Sequence, residues 1–232
     1  MMDAVTPADL SGRYAQVPVG VLSDVLAKAG APYQVLSREM RAFAELPPFA
    51  GPAFCVRARR AMGGAPPVKD LRFDLYRQFR REAVLIMATG GYGLSAVLGE
   101  NVAASLRQSG CVGIVTDGGY RDRDGIAALG MPMRACYLTP MSSGGQMAIA
   151  ELDVTVTLPG EAYGTVEISP GDMVVGDADG VIVVPQRGLT TILEDAERLI
   201  VIEARTRSMI ESGEDSEVAY KANERFGHIR RI

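Results

Sequence analysis

Arg121 and Asp122 stand side by side in Gly118-Gly119-Tyr120-Arg121-Asp122, directly after the apolar run Val112-Gly113-Ile114-Val115-Thr116. A second acid, Glu100, lies upstream of that run, with twenty residues between it and Arg121. A guanidinium is a planar fork that matches a carboxylate at two points. Aspartate is a hard oxygen donor of the kind Mg²⁺ takes once or twice while keeping several waters. Together at a strand end they would clamp an anionic substrate and a hard metal. The same pair equally fits a surface ion pair worth little, and spacing alone does not decide between the two. In Leu98-Gly99-Glu100-Asn101-Val102 a helix start would leave its first N–H groups unpaired, ready for an anion such as a carboxylate. Without the downstream pair, an acid that merely complements the helix dipole is the simpler reading.

Rare residue types narrow the chemistry further. His228 is the only histidine. A zinc site with two or three histidines is therefore impossible within one chain, and a Ser-His-Asp triad would need His228 without the GxSxG that usually accompanies it. There are three lysines. Lys28 and Lys221 fall in partly polar helical surroundings, and Lys69 sits in a Pro-rich loop beside Asp70. None reads as a desolvated Schiff-base lysine. Gly90-Gly91-Tyr92-Gly93 lacks the Lys-Ser/Thr of a phosphate loop and the spacing of a dinucleotide fingerprint, so a plain turn is expected. Asp24, Asp172, Asp177 and Asp179 read as helix or turn formers.

The elements that must position the pair follow from pattern. Residues 19–29 predict a helix stopped by Gly30, and 53–58 a strand. Gly63-Gly64-Ala65-Pro66-Pro67 predicts a loop, 69–80 a helix and 83–87 a buried strand. A helix over 99–109, a strand over 112–116, a short helix reaching Leu129-Gly130 and a strand over 132–137 come next. This alternation suggests a parallel layer. If strands 83–87 and 112–116 are neighbours, their C-terminal ends bring Gly99–Val102 and Arg121-Asp122 into one crevice. From residue 153 a period of two takes over, with turn signals at Pro170-Gly171-Asp172 and Asp177-Ala178-Asp179-Gly180. Residues 187–212 predict one long helix, and the polar tail after Ser212 is expected to wander over a neighbouring subunit. The division is a catalytic domain over 1–186 and a helical extension over 187–232.

Composition sets the class. At 232 residues, 47% hydrophobic and 22% charged, the chain is an ordinary globular mix. A net charge of −4 with no basic block argues against a nucleic-acid partner. There are three cysteines, Cys55, Cys111 and Cys136, and no CxxC; Cys55 and Cys111 lie in apolar strand-like segments and read as buried free thiols, which suits a reducing cytoplasm. With no signal-like start and no membrane-length apolar run, a soluble cytoplasmic protein is expected.

The motif Gly99-Glu100, twenty residues, Arg121-Asp122 resembles that of the 4-hydroxy-4-methyl-2-oxoglutarate aldolase family, which also holds regulators of ribonuclease E activity and proteins labelled demethylmenaquinone methyltransferase. Ser23-Asp24-Val25-Leu26, Gly51-Pro52-Ala53, Pro170-Gly171-Asp172 and Asp177-Ala178-Asp179-Gly180-Val181 are similar to further family segments, so the resemblance runs across most of the chain. It implies an α/β fold, a swivelling β/β/α sandwich with a long C-terminal helix, assembled as a homotrimer or homohexamer. It implies Mg²⁺ or Mn²⁺ on Asp122, substrate on Arg121 with the backbone of Gly99, Glu100, Asn101 and Val102 holding its carboxylate, and a proton-moving water placed by Glu100. Glu203 is the match for a carboxylate that some members lend to a neighbour's site. Many members carry an acid where this chain has Gly125, and Asp124 is the candidate substitute.

The activity implied is cleavage of 4-hydroxy-2-oxo acids to pyruvate by a metal-dependent lyase, with oxaloacetate decarboxylation open to the same site. Such a bond cleavage needs an electron sink, either a lysine iminium or a Lewis acid, and the lysine census disfavours the first. The alternative is a ribonuclease-binding regulator of the same fold without catalysis. A methyltransferase is disfavoured, because no strand, Gly-rich loop and acid arrangement suits a methyl-donor nucleotide.

Overall fold

The computed structural model describes residues 7–45, 47–60, 69–162 and 164–232. The loop expected over Gly63–Pro67 lies outside them.

The longest strand organises the chain. β1 (Phe49–Arg60) uses its length to serve three partners. Its first four residues pair antiparallel with β11 (Met173–Gly176), and Ala53–Arg57 run parallel to β2 (Val84–Ala88). Its far end pairs antiparallel with β8 (Met147–Leu152), with the register shifting between Arg57 and Ala58. Parallel pairing continues from β2 to β4 (Gly113–Thr116) and on to β6 (Met133–Arg134), while β12 (Val181–Val184) closes the other side on β11.

Strand alternation divides the apolar side chains between two faces. Phe54, Val56, Leu85, Met87 and Ile114 enter one core cluster, joined by Leu75 of α3 (Arg72–Gln78), Leu106 of α4 (Glu100–Gln108) and Ile126 of α5 (Arg123–Ala128). Cys55, Val84, Ile86 and Val115 enter another, closed by the hairpin of β9 (Val156–Pro159) and β10 (Thr165–Ile168). Phe49 belongs to this second face and wedges between strands on either side of it. A Cβ on Gly113 would lie 2.6 Å from its ring, and one on Gly176 would lie 2.4 Å from it.

A third cluster joins α1 (Pro7–Tyr14), α2 (Val19–Ala29) and α6 (Leu189–Glu211) over β11 and β12. The last part of the chain, after α7 (Ser216–Ala222), packs here too through Phe226, Ile229 and Ile232. Ile232 N–H donates to Ala29 O at 3.1 Å, and the buried Asp195 carboxylate accepts from Arg230 N at 2.8 Å and Arg230 Nε at 3.0 Å. The tail after Ser212 docks on its own chain, its spaced apolar residues completing the groove between α2 and α6. Residues 187–232 share this core with the first helices.

The expected α/β class, a swivelling β/β/α sandwich with a long C-terminal helix, is the observed one. Several boundaries moved. The strand expected over 132–137 is two short ones, β6 and β7 (Tyr137–Leu138), which leave one sheet and enter another. The helix expected over 69–80 contracts to α3, and β8 had no clear signal. Among the described residues, no helix is long and apolar enough to cross a membrane.

Candidate functional site

A small parallel sheet, separate from the main one, sets the site. β3 (Ala96–Leu98) pairs with β5 (Gly119–Tyr120), and β5 pairs with β7. Parallel strands deliver the residues beyond their C-terminal ends to one edge. Here those residues are Gly99-Glu100 after β3, Arg121-Asp122 after β5 and Thr139-Pro140 after β7. Arg121 N–H to Leu98 O at 3.2 Å and Thr139 N–H to Tyr120 O at 3.1 Å carry the pairing to that edge. From sequence, these residues were expected at the ends of strands 83–87 and 112–116. Those strands do pair, but the chain turns away after each one before reaching the site. The two expected segments meet for a different topological reason.

Asp122 is held in the left-handed region, φ 61° and ψ 41°, at the start of α5. Aspartate tolerates that region better than most residues. An N-cap aspartate usually accepts from its own helix's amides, yet here no side-chain cap bond forms. The carboxylate instead crosses to the start of the preceding helix, α4. Its Oδ2 accepts from Glu100 N at 3.1 Å and lies 3.4 Å from Arg121 Nε. Both side chains are 42% exposed. Gly99 makes the approach possible, since a Cβ there would lie 2.5 Å from Asp122 Oδ2 and 3.0 Å from Arg121 Nε. Arg121, Asp122, Arg123, Leu138, Thr139 and Pro140 line an open cavity of about 310 Å³.

The amides at the α4 start are mostly claimed. Glu100 N–H serves Asp122, and Val102 N–H donates to Gly99 O at 3.1 Å. Of the backbone expected to hold a carboxylate, Gly99 N–H and Asn101 N–H are the donors that bond no described group. Glu100 folds its carboxylate over Gly125, where a Cβ would lie 2.3 Å from Oε2. The space beside Gly125, where the resemblance led an acid to be expected, is thus filled here by Glu100. Asp124 faces solvent, 87% exposed, and pairs with Arg123 at 2.7 Å. It does not stand in that space. Glu203 lies in a different cluster, ion-paired with Arg225, which also reaches Asp24 at 3.2 Å. Within this chain the structure therefore brings Gly99, Glu100, Arg121 and Asp122 together, and Asp124 and Glu203 apart from them.

One supporting residue escaped the sequence reading. Asp117 is buried between β4 and β5, and its carboxylate accepts from Thr89 N at 2.6 Å, Thr89 Oγ1 at 2.8 Å and Gly91 N at 2.8 Å. This pins the glycine turn after β2, whose far end is held by Tyr137 Oη donating to Tyr92 O and Ser95 O at 2.7 and 3.0 Å. Burial pushes the Tyr137 phenol up from its ordinary pKa, which keeps it a donor. The available signal was an acid ending an apolar strand before Gly-Gly.

The three lysines serve elsewhere. Lys28 Nζ sits 4.9 Å from the Phe226 ring centroid, Lys69 pairs with Asp74 at 3.8 Å, and Lys221 pairs with Glu217 at 2.5 Å. Among the described residues, no group of three or more His, Cys, Asp or Glu side chains could hold a metal. Any divalent ion here would rest on few protein ligands. Asp122 fits that role, being half-exposed at a cavity with Oδ1 unclaimed by described groups.

Relatives carry the same architecture. The model of the RraA-like family, described as Aldolase/RraA, matches residues 19–183. A protein of Halalkalibacterium halodurans described as "Putative 4-hydroxy-4-methyl-2-oxoglutarate aldolase" is 31% identical over 50% of this chain and 52% of its own length. An uncharacterized protein of Methanocaldococcus jannaschii is 33% identical over 52% of this chain and 55% of its own. The chain thus spans about half the length of these relatives. Among solved structures, an uncharacterized Pseudomonas syringae protein superposes with a TM-score of 0.81 at 21% identity, covering 96% of this chain and 98% of that one. A Streptomyces coelicolor protein described as an unusual member of the RNase ES inhibitor RraA family gives 0.75 at 24% identity, covering 86% and 97%. These two show the shared fold. With the family model spanning from α2 to β12 and the Gly99–Asp122 constellation inside it, the chain belongs to the RraA-like family.

Proposed function

We propose that the protein is a lyase that cleaves 4-hydroxy-2-oxo acids to pyruvate with the help of Mg²⁺ or Mn²⁺, and that Asp122 is the metal's protein ligand. One observation carries this reading: Asp122 abandons its own helix to join Arg121 and the Glu100 amide at an open cavity. The names of relatives support an aldolase, and the family description joins aldolases with RraA proteins, one of which is described as an RNase ES inhibitor relative.

A bound divalent ion would supply the Lewis acidity that cleavage beside a carbonyl needs. This chain's residues do the remainder. Among the described residues the terminal nitrogens of Arg121 have no partner, so its fork is free to face the substrate carboxylate and the negative charge that develops during bond breaking. Asn101 N–H adds a donor at the positive end of α4. Glu100 holds the water that takes the proton from the C4 hydroxyl. As the C3–C4 bond breaks, its electron pair passes to C3, the C4 oxygen becomes a ketone, and the proton returns to C3 to give pyruvate. Oxaloacetate would lose CO₂ by the same movement of charge. The assembly proposed is a homotrimer or homohexamer, in which Glu203 of one copy reaches the site of the next. Neither nucleic acid nor membrane enters the proposal, and the setting proposed is the cytoplasm.

A panel of 4-hydroxy-2-oxo acids and oxaloacetate, read by a pyruvate-coupled dehydrogenase with Mg²⁺, Mn²⁺ or chelator, tests the reading. Activity should vanish with chelator and fall at least about 100-fold in Asp122→Ala. Full activity in Asp122→Ala would remove the metal assignment. The second reading, a regulator that binds a ribonuclease, rests on the Streptomyces coelicolor protein of the same fold described as a member of the RNase ES inhibitor RraA family. It gains if no substrate turns over while a ribonuclease is retained in a pull-down.

A further inference from the structure

Arg134 occupies a place where an arginine is costly. It lies in β6 between Met133 and Ala135, both buried in the core, and is itself only 9% exposed. Strand alternation turns it to the opposite face, in register with Val115. Buried guanidinium groups are ordinarily paired. This one forms no ion pair and no hydrogen bond among the described residues. Asp177 is near enough to act on it, but that carboxylate is already occupied. Its Oδ2 accepts from Val19 N at 2.9 Å, and its Oδ1 accepts from Asp179 N at 2.9 Å and Gly180 N at 3.3 Å. Burial lowers the Arg134 pKa from its ordinary value, with Asp177 opposing the shift, as expected of a cation lacking a close counterion.

The guanidinium is not sealed in. Among the described residues, the one fully enclosed polar side-chain atom without a partner is His228 Nδ1. The Arg134 nitrogens therefore reach open space, and the space they reach is a cavity of about 530 Å³. Its charged lining is Arg38, Arg41, Arg134, Glu161 and Asp179. Arg38 and Glu161 satisfy each other. Among the described residues, the Arg41 guanidinium forms no ion pair or hydrogen bond, and the Phe43 ring lies 5.8 Å from its carbon. The backbone of Arg41 is fixed beside β6 by reciprocal bonds with Ala135, 2.9 and 3.1 Å long. Two unmatched guanidinium groups thus face one carboxylate, Asp179, in a space sized for a small molecule. It shares no lining residue with the cavity at Arg121 and Asp122.

We propose that this cavity is a second ligand site, which takes the phosphate or carboxylate group of a small molecule on Arg134 and Arg41. Buried Arg134 gives the fixed two-point contact, and Arg41 on the rim closes over the same group. The site is independent of the lyase reading.

Inorganic phosphate is the probe, followed by thermal denaturation and calorimetry at low ionic strength against a chloride control of equal ionic strength. At ten times its Kd, phosphate should raise Tm by roughly 3–6 °C for a chain of this size. Acetate in a parallel arm tells whether the site prefers a phosphate or a carboxylate, and binding of either supports it. Arg134→Gln should abolish the shift, Arg134→Lys should keep part of it, and Arg41→Ala should weaken binding about tenfold or more. Arg121→Ala should leave the shift in place. Removing a cation without a counterion should not prevent folding. If Arg134→Gln nevertheless fails to fold, Arg41→Ala carries the test, and unaltered binding in it overturns the site. The proposal also falls if neither anion shifts the wild-type Tm, or if the response survives Arg134→Gln and disappears in Arg121→Ala. It falls equally if wild type ignores both anions while Arg134→Gln loses oligomeric mass by light scattering, because the guanidinium would then meet a carboxylate of a second copy.

Discussion

At Gly99 a single missing methyl decides where two charged side chains rest. A Cβ there would meet Asp122 Oδ2 and Arg121 Nε, both ends of half-exposed side chains, so the backbone would not have to move. Gly99→Ala should therefore leave Tm nearly unchanged while lowering kcat/KM for pyruvate release at least about tenfold. Thermal denaturation beside the coupled assay checks both halves, and a large Tm loss would mark Gly99 as a folding residue instead. The meeting of Glu100 with Arg121 and Asp122 was legible because each comes just after a strand signal. Asp117 was not, because a lone acid at a strand end looks the same whether it faces water or collects three buried hydrogen bonds. The roles of Asp124 and Glu100 at residue 125 were likewise hidden, since sequence does not show which of two nearby carboxylates folds inward.

Among the elements, those with a full period read well. The helix at 19–29 ends at Gly30, which has φ 93°, and the late hairpins turn at their acidic and glycine residues. Two-residue strands such as β5, β6 and β7 carry no period, so the small sheet that builds the site could not be read. Cys55 and Cys111 behaved as the buried free thiols expected of them, while Cys136 is half-buried. Burial pushes Cys55 from an ordinary value of 9.0 up to about 12, helped by Asp172 and Asp153. In the unfolded chain the thiol ionises near 9, whereas in the folded one it holds its proton to about 12. The unfolded state thus binds fewer protons across that window, so stability is intact below it and falls as pH rises through it. Urea titrations along a pH series should show this alkaline decline, and Cys55→Ala should lessen it, leaving the part that the buried Cys111 thiol, pushed up to about 11, contributes. An unchanged slope would mean that the thiol is already ionised or accessible.

For the molecule as a whole, the chain's last residues hold its first helices. Asp195 is 4% exposed and depends on Arg230 for its backbone and side-chain donors and for its 2.8 Å ion pair. Arg230→Ala keeps the backbone donor but strands part of a buried charge, and should cost about 1–3 kcal/mol in urea denaturation. A loss under about 0.5 kcal/mol would mean that water replaces the arginine. Phe49 ties the sheet together differently, by filling the volume left by Gly176 on β11, next to β1, and by Gly113 on β4, one strand beyond β2. Gly113→Ala alone should cost about 1–3 kcal/mol through overpacking, and Phe49→Leu in the same molecule should recover much of it. These three positions are consequently one hereditary unit. A library that randomises either glycine alone should return glycine almost always, whereas one that varies all three should yield methyl groups wherever the benzyl side chain has been traded for something slimmer.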